Sequence, residues 1–208
     1  MAYPTVSAPY GLQPINSVDG KPYAGATRQL PIASTYNTAI FYGDIVAVVD
    51  GGTIEKSGVT NDSTTSAANY TYGVLTGVQY TNAQGQTVQA QYYPGNAAAT
   101  NAIAYVVDDP MAAFRVVVVE ANSAVSSVNR SVVGINMAID QGTGNTTTGN
   151  SGAGVLVPTN NQGNAATLPV RVVEVVPATA TGANAFTEVV VKLNNPQILR
   201  ATGLDYAA

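Results

Sequence analysis

The distribution of apolar and polar residues changes character near residue 38. From Ala39 onward, short apolar runs are cut by glycine, proline and aspartate. AIFYGDIVAVVDGGTIEKSGV contains an apolar run, a turn at Tyr42-Gly43-Asp44, the run IVAVV, a turn signal at Asp50-Gly51-Gly52 and a short strand TIEK. This is hairpin punctuation, with glycine supplying the positive φ that tight β-turns require. NDSTTSAAN, residues 61–69, reads as a polar loop, and YTYGVLTGVQYTN restores strand character before a turn at NAQGQ, residues 82–86. TVQAQYYP alternates as a half-solvated strand stopped by Pro94 and Gly95. AIAYVV and AFRVVVVEA flank Asp108-Asp109-Pro110. The second is an unbroken β-branched run, the pattern of a strand buried on both faces.

Between Val125 and Leu156 the chain is rich in Ser, Thr, Gly and Asn, and GINMAIDQGTGNTTTGNSGAG reads as a short strand followed by a long polar loop. VLVP, LPVRVVEVVP and FTEVVVKL complete the β pattern, with Pro158, Pro169 and Pro177 at strand ends. The 3.6-residue spacing of an amphipathic helix is not sustained over any ~11-residue window, and no repeat of ~20–50 residues is present. The expected fold is all-β, a small β-barrel or sandwich body with extended N-terminal and C-terminal arms. The arms are residues 1–37 and 196–208, the β-barrel body is 38–120, and 121–195 is a β continuation or small β subdomain with a long polar loop.

The N-terminal arm carries Pro4, Pro9, Pro14, Pro22 and Pro31, a spacing that leaves no room for a helix or a paired strand of useful length. It is too apolar for a disordered tail, so it is expected to lie in a groove, on its own domain or on a neighbouring subunit. The C-terminal NNPQILRATGLDYAA turns away at Pro196 and reads as a second, shorter arm.

Composition narrows the chemistry. Only 10% of the 208 residues are charged, and histidine, cysteine and tryptophan are absent. That removes the usual general base near neutral pH, thiolate nucleophiles, Cys/His zinc sites and disulfides. A net charge of −4 with eight scattered basic residues argues against nucleic acid as a partner. No apolar stretch approaches the ~18 residues of a membrane span, and MAYPTVSAPYGLQPINS has no charged n-region or apolar h-region, so synthesis and assembly in a cytoplasm are expected and no membrane partner.

The remaining candidates read as structure. Asp108-Asp109 before Pro110 is a turn signal that needs no ligand, and Asp140 with Gln141, Gly142, Gly144 and Asn145 lacks the order of a calcium loop. No serine stands in an S-x-x-K pattern with Lys21, Lys56 or Lys192, and GTGNTTTGNSGAG lacks the lysine of a phosphate loop. Lys192 could form a carboxylate-assisted crosslink to an asparagine only if the fold brought them together. Hydrolysis would require a pocket with two close carboxylates, around Asp44, Asp108 or Glu120. No catalytic residue, metal or cofactor is therefore assigned. Twelve tyrosines against three phenylalanines concentrate in the arms and first half, where a ring with one polar end suits a contact surface.

APYGLQPIN and ATRQLPIA in the leader resemble virion structural proteins of tailed bacteriophages. FYGDIVAVVDGGTIEKSGVT followed by YGVLTGVQY resembles the small β-barrel pattern of phage head decoration, or cement, proteins, the likeness covering roughly residues 1–120. It implies a non-enzymatic protein that binds the outer capsid surface as a homotrimer or dimer and clamps capsomers of the major capsid protein with its arms. The interface residues then expected are Tyr3, Pro4, Tyr10, Leu12, Pro14, Ile15, Tyr23 and Leu30, with Ile198, Leu199 and Leu204 near the C-terminus, since these lack an evident strand to pack on. A lattice-forming shell protein should be longer and carry a long amphipathic helix. A tail-tube or fibre module is also all-β, but fibres tend to show short repeats. A carbohydrate-binding adhesin fits the tyrosines and polar loops but would require secretion.

Overall fold

A computed structural model describes residues 6–58, 71–120, 124–157, 166–179, 186–194 and 196–199. Fourteen strands are present among them: β1 (Gln13–Ser17), β2 (Arg28–Pro31), β3 (Ile45–Val48), β4 (Ile54–Lys56), β5 (Gly73–Asn82), β6 (Thr87–Ala90), β7 (Ala99–Val107), β8 (Ala112–Glu120), β9 (Ala124–Val125), β10 (Asn136–Met137), β11 (Ile139–Asp140), β12 (Gly154–Leu156), β13 (Val170–Val175) and β14 (Glu188–Leu193). Among the described residues, helical ones are confined to short 3₁₀ turns such as Arg130–Val132. The protein is all-β.

The strands form two sheets. One runs β2-β7-β5-β3-β4, with β6 beside β5, and a bridge from Ile32 to Ile54 of β4 draws its two ends together. The other runs β10-β13-β14-β8-β12-β11. Because β10 and β11 are consecutive pieces of one segment joined at Ala138, this path returns on itself and is nearly a closed barrel. Closure leaves few backbone groups unpaired at edges.

β8 is the hub of the barrel. Its first half pairs with β14 on one side and β1 on the other, and its second half with β12 and β9. Only Arg115 and Glu120 of its nine residues are exposed, as the unbroken valine run predicts. The changeover between sheets falls at Asp108-Asp109-Pro110, between β7 and β8, and strands β9 to β14 continue the sheet built on β8. The Asp50-Gly51-Gly52 turn joins β3 to β4 with φ of +86° and +73° at its glycines.

The leader is where the structure departs from the expected unpaired arm. Residues 13–17 add β1 to β8, and residues 28–31 add β2 to β7. Pro14 and Pro31 are accommodated because each strand has one partner, and β1 has a register shift between Pro14 and Asn16. Proline spacing excludes a central strand but permits a short edge strand on a longer one. Of the two grooves expected for the leader, the one it occupies is on its own body.

Phe114 on β8 is fully buried in a cluster with Leu12, Ile45, Val74 and Val191, which come from both sheets. Removing its ring would open a cavity shared by the two sheets. Phe114→Ala should destabilise the protein by about 3–5 kcal/mol in denaturant unfolding followed by circular dichroism; a loss under about 1 kcal/mol would mean that the sheets do not share a core.

Candidate functional site

Three chain segments cross between the sheets, and glycine permits the crossing. The Gly11 amide donates to the Ala153 carbonyl, Leu12 to Gly43, and Gly43 to Leu75, at 3.1, 2.9 and 2.8 Å. Gly11 and Gly43 have φ of +79° and +88°, and a Cβ on either would run into the backbone of the other. The Asp44 carboxylate is fully buried at this crossing. Its Oδ2 accepts from the Phe41 amide at 2.8 Å and faces the Lys56 Nζ at 3.1 Å. Its Oδ1 accepts from Ser151 Oγ at 2.6 Å, and Ser151 Oγ in turn accepts from the Ala153 amide at 2.9 Å. A serine, a carboxylate and a lysine in line suggest a nucleophile, but Ser151 is 2% exposed and spends its proton on the carboxylate. The trio joins β4, the residues before β3 and those before β12.

Beside this crossing lies a pocket of about 980 Å³. One wall is the leader at Val6–Tyr10, another the Thr143–Gly152 loop, and the third Val176–Thr179 with Glu188. At its base Tyr10 Oη donates to Glu188 Oε1 at 2.5 Å, and the Arg115 guanidinium lies 3.7 Å from the same oxygen. Glu188 also receives its place from Thr179, whose Oγ1 accepts the Glu188 amide at 2.8 Å. Burial first, then the hydrogen bond and charge of Glu188, push the Tyr10 phenol far above the ordinary tyrosine range. Val6 and Tyr10 pack on Val117, Val119, Leu168 and Phe186, so this contact latches the leader to the body.

The expected interface residues separate into three groups. Leu12 is fully buried in the shared core, Tyr23 packs against the same core, and Leu30 packs inside the β2-to-β7 sheet. These are corrections: Leu12 and Tyr23, outside the strands, and Leu30 on β2 all find partners within the chain. Tyr10 is committed to Glu188, and Pro14 is half-buried within β1. Ile15 stays 38% exposed, Ile198 43% and Leu199 62%. Tyr3, Pro4 and Leu204 lie outside the described residues. Two exposed neighbours that sequence reasoning missed, Val18 and Met111, meet at the Val18 amide to Met111 carbonyl bond of 2.8 Å, just past the end of β1, the strand that carries Ile15.

The polar candidates are accounted for by local structure. Asp108 Oδ2 accepts from Arg28 Nε and, at 3.2 Å, from Tyr72 Oη, while Asp109 Oδ1 caps the turn by accepting from the Met111 amide at 2.8 Å. Asp140 is buried on β11 and accepts from the Gly142 amide at 3.4 Å. Among the described residues no group of three acidic side chains is placed to hold a metal. Lys192 stands on β14 opposite Ala113 and Arg171. Several tyrosines serve the core: Tyr93 is 1% exposed and stacks on Tyr36, and Tyr92 stacks on Phe41. Glu188 was legible only as a lone acid inside FTEVVVKL, and Lys56, Ser151 and Arg115 carried no signal. Comparison with protein-family models, curated proteins and solved structures finds no match to this chain.

Two outcomes follow. Asp44→Ala leaves the Lys56 ammonium and Ser151 hydroxyl without their buried partner and should cost about 3–5 kcal/mol, with part recovered by adding Lys56→Met; an unaltered denaturation midpoint in the single variant would contradict the assigned role. Tyr10→Phe should cost about 1–3 kcal/mol. Because the folded tyrosine pKa lies above its unfolded value, the latch is complete below about pH 10 and is lost as pH rises beyond it. The melting-temperature gap between wild type and Tyr10→Phe should accordingly hold steady through neutral pH and shrink only above that range.

Proposed function

We propose that this chain is a non-enzymatic structural protein of a tailed-phage head, binding the outer surface as an oligomer and stabilising contacts between capsomers of the major capsid protein. The likeness of the leader to virion structural proteins of tailed phages, and of the β3–β5 region to head decoration proteins, motivates the reading. The observation that carries it is the exposed apolar patch where the leader meets the turn before β8: Ile15 at 38%, Val18 at 38% and Met111 at 45%. Clustered exposed apolar side chains mark contact surfaces, and these sit on a framework that holds them rigidly. β1 is hydrogen-bonded to β8, and Ser17 Oγ donates to the Met111 carbonyl at 3.0 Å.

In this reading the leader works as a braced contact edge, with Ile198 and Leu199 supplying a second contact near the C-terminus. Gln197 fixes that second contact to the body, its amide side chain bonding the Val48 backbone at 2.9 and 3.0 Å. Rigid presentation lowers the ordering cost of binding, since little chain entropy remains to be lost.

The test is sedimentation of the full chain with genome-filled heads that lack it. Saturable co-pelleting is expected, and the combined variant Ile15→Ser, Val18→Ser, Met111→Ser should weaken it by roughly tenfold or more while leaving the melting transition in place. Failure of the wild-type protein to pellet with heads, together with binding to tails or to glycans, would replace the head reading with one of those.

A further inference from the structure

None of the chain's eight basic and twelve acidic residues falls between Asp62 and Asp108. The fold gathers this uncharged stretch into one face, because β5, β6 and β7 all come from it and β2 lies against β7. Inward positions on these strands, Leu30, Ala104, Val78 and Ala90, pack in the core. The alternate positions form two cross-strand rows facing outward, Gln29–Tyr105–Gly77 and Pro31–Ile103–Gln79–Gln89. Tyr105 Oη donates to Gln79 Oε1 at 3.3 Å, which orders the middle of the face. The charges at its border, Arg28 and Asp108, are paired with each other. The barrel differs, for its strands β8 and β13 present Arg115, Glu120, Arg171 and Glu174 to solvent. Among the described residues β6 pairs only with β5, and its outer edge carries none of the lysine or proline that commonly protects an edge strand.

We propose that the β2-β7-β5-β6 face is where this chain meets a second copy of itself. A chain of net charge −4 repels its own copies wherever its charged surface approaches them. A surface that pairs with itself about a two-fold axis sets identical residues close together near that axis, so a charge at its centre would confront a like charge. Among the described residues this uncharged face escapes that cost, with Ile103 and Tyr105 at its centre as the apolar and aromatic contacts that interface centres favour. A different protein would be selected by charge complementarity, which this face does not offer. The inference rests on the oligomeric form of the head-binding reading and deepens it by naming the face through which copies meet, a surface other than the Ile15–Met111 contact.

The test is sedimentation velocity of the full-length chain alone over about 1–100 μM, a range that spans ordinary reversible self-association. Wild type should form a homo-oligomer. Ile103→Lys and Gln89→Lys should each raise the dissociation constant by about tenfold or more, since each buries a charge on a face that offers it no opposite partner. Thr146→Lys, in the exposed loop near the pocket, should leave it unaltered. Gln89 is exposed on the edge strand, so its variant tests the face even if Ile103→Lys fails to fold. A wild-type monomer throughout, or an oligomer indifferent to both lysines, overturns the proposal. No heads are present in this assay, so its failure counts against the oligomeric form of head binding and leaves the Ile15–Met111 contact itself to be judged by co-pelleting. Loss of head binding by an intact oligomer would count against the head reading alone.

Discussion

The buried Asp44 carboxylate is the constraint on which the arrangement of the two sheets rests. Its three partners come from the Phe41 amide, from Lys56 at the end of β4 and from Ser151 ahead of β12, so one side chain ties the first sheet to the barrel. A carboxylate withdrawn from water is stable only when its oxygens are so occupied, and each partner in turn is fixed by the need to occupy them. The glycines at 11 and 43 belong to the same crossing. The leader passes between Gly43 and the Ser151–Ala153 segment, bonding the carbonyls of Gly43 and Ala153, only because two backbones meet there at van der Waals contact with φ positive at both glycines.

From that crossing the leader acquires its shape. Held by Gly11 to Ala153 and by Leu12 to Gly43, it runs one way past Tyr10 into the latch with Glu188 and the other way into β1 on β8. What the proline-rich sequence presents as a tether is thereby a braced element of the barrel, and its exposed surface contracts to the end near Ile15, Val18 and Met111. The scarcity of charge has a matching effect on the outside. Charged side chains are placed on the barrel, on β4, at turns or in pairs, and the β2-β7-β5-β6 face is left with glutamine, threonine, tyrosine and isoleucine. The two surfaces suited to contact are thus separate, one apolar and small, one neutral and broad.

Much of the fold was legible from the chain. The valine run of β8, the alternation of β6 and the Asp50-Gly51-Gly52 turn declare themselves through side-chain period and backbone freedom, which are local properties. The sequence also excluded thiol, histidine and zinc chemistry through absent residue types. The candidate site was much less legible. Leu12, Tyr23 and Leu30 look unpartnered because their partners lie on strands distant in sequence, and the burial of Glu188 and Ser151 depends on segments over a hundred residues away.

What the sequence by itself determined is therefore the β class, the turns and the poverty of catalytic groups, since period, glycine placement and composition act within a few residues. Only the tertiary structure decided that the leader becomes two edge strands, that the sheets change over at Asp108-Asp109-Pro110 and that Asp44 sits at their crossing. Those outcomes depend on long-range pairing, in which β8 offers free backbone edges to β1, β9, β12 and β14. Which segments fill those edges is settled by the competition of all segments for the same hydrogen bonds and the same apolar interior, and no local pattern encodes the result.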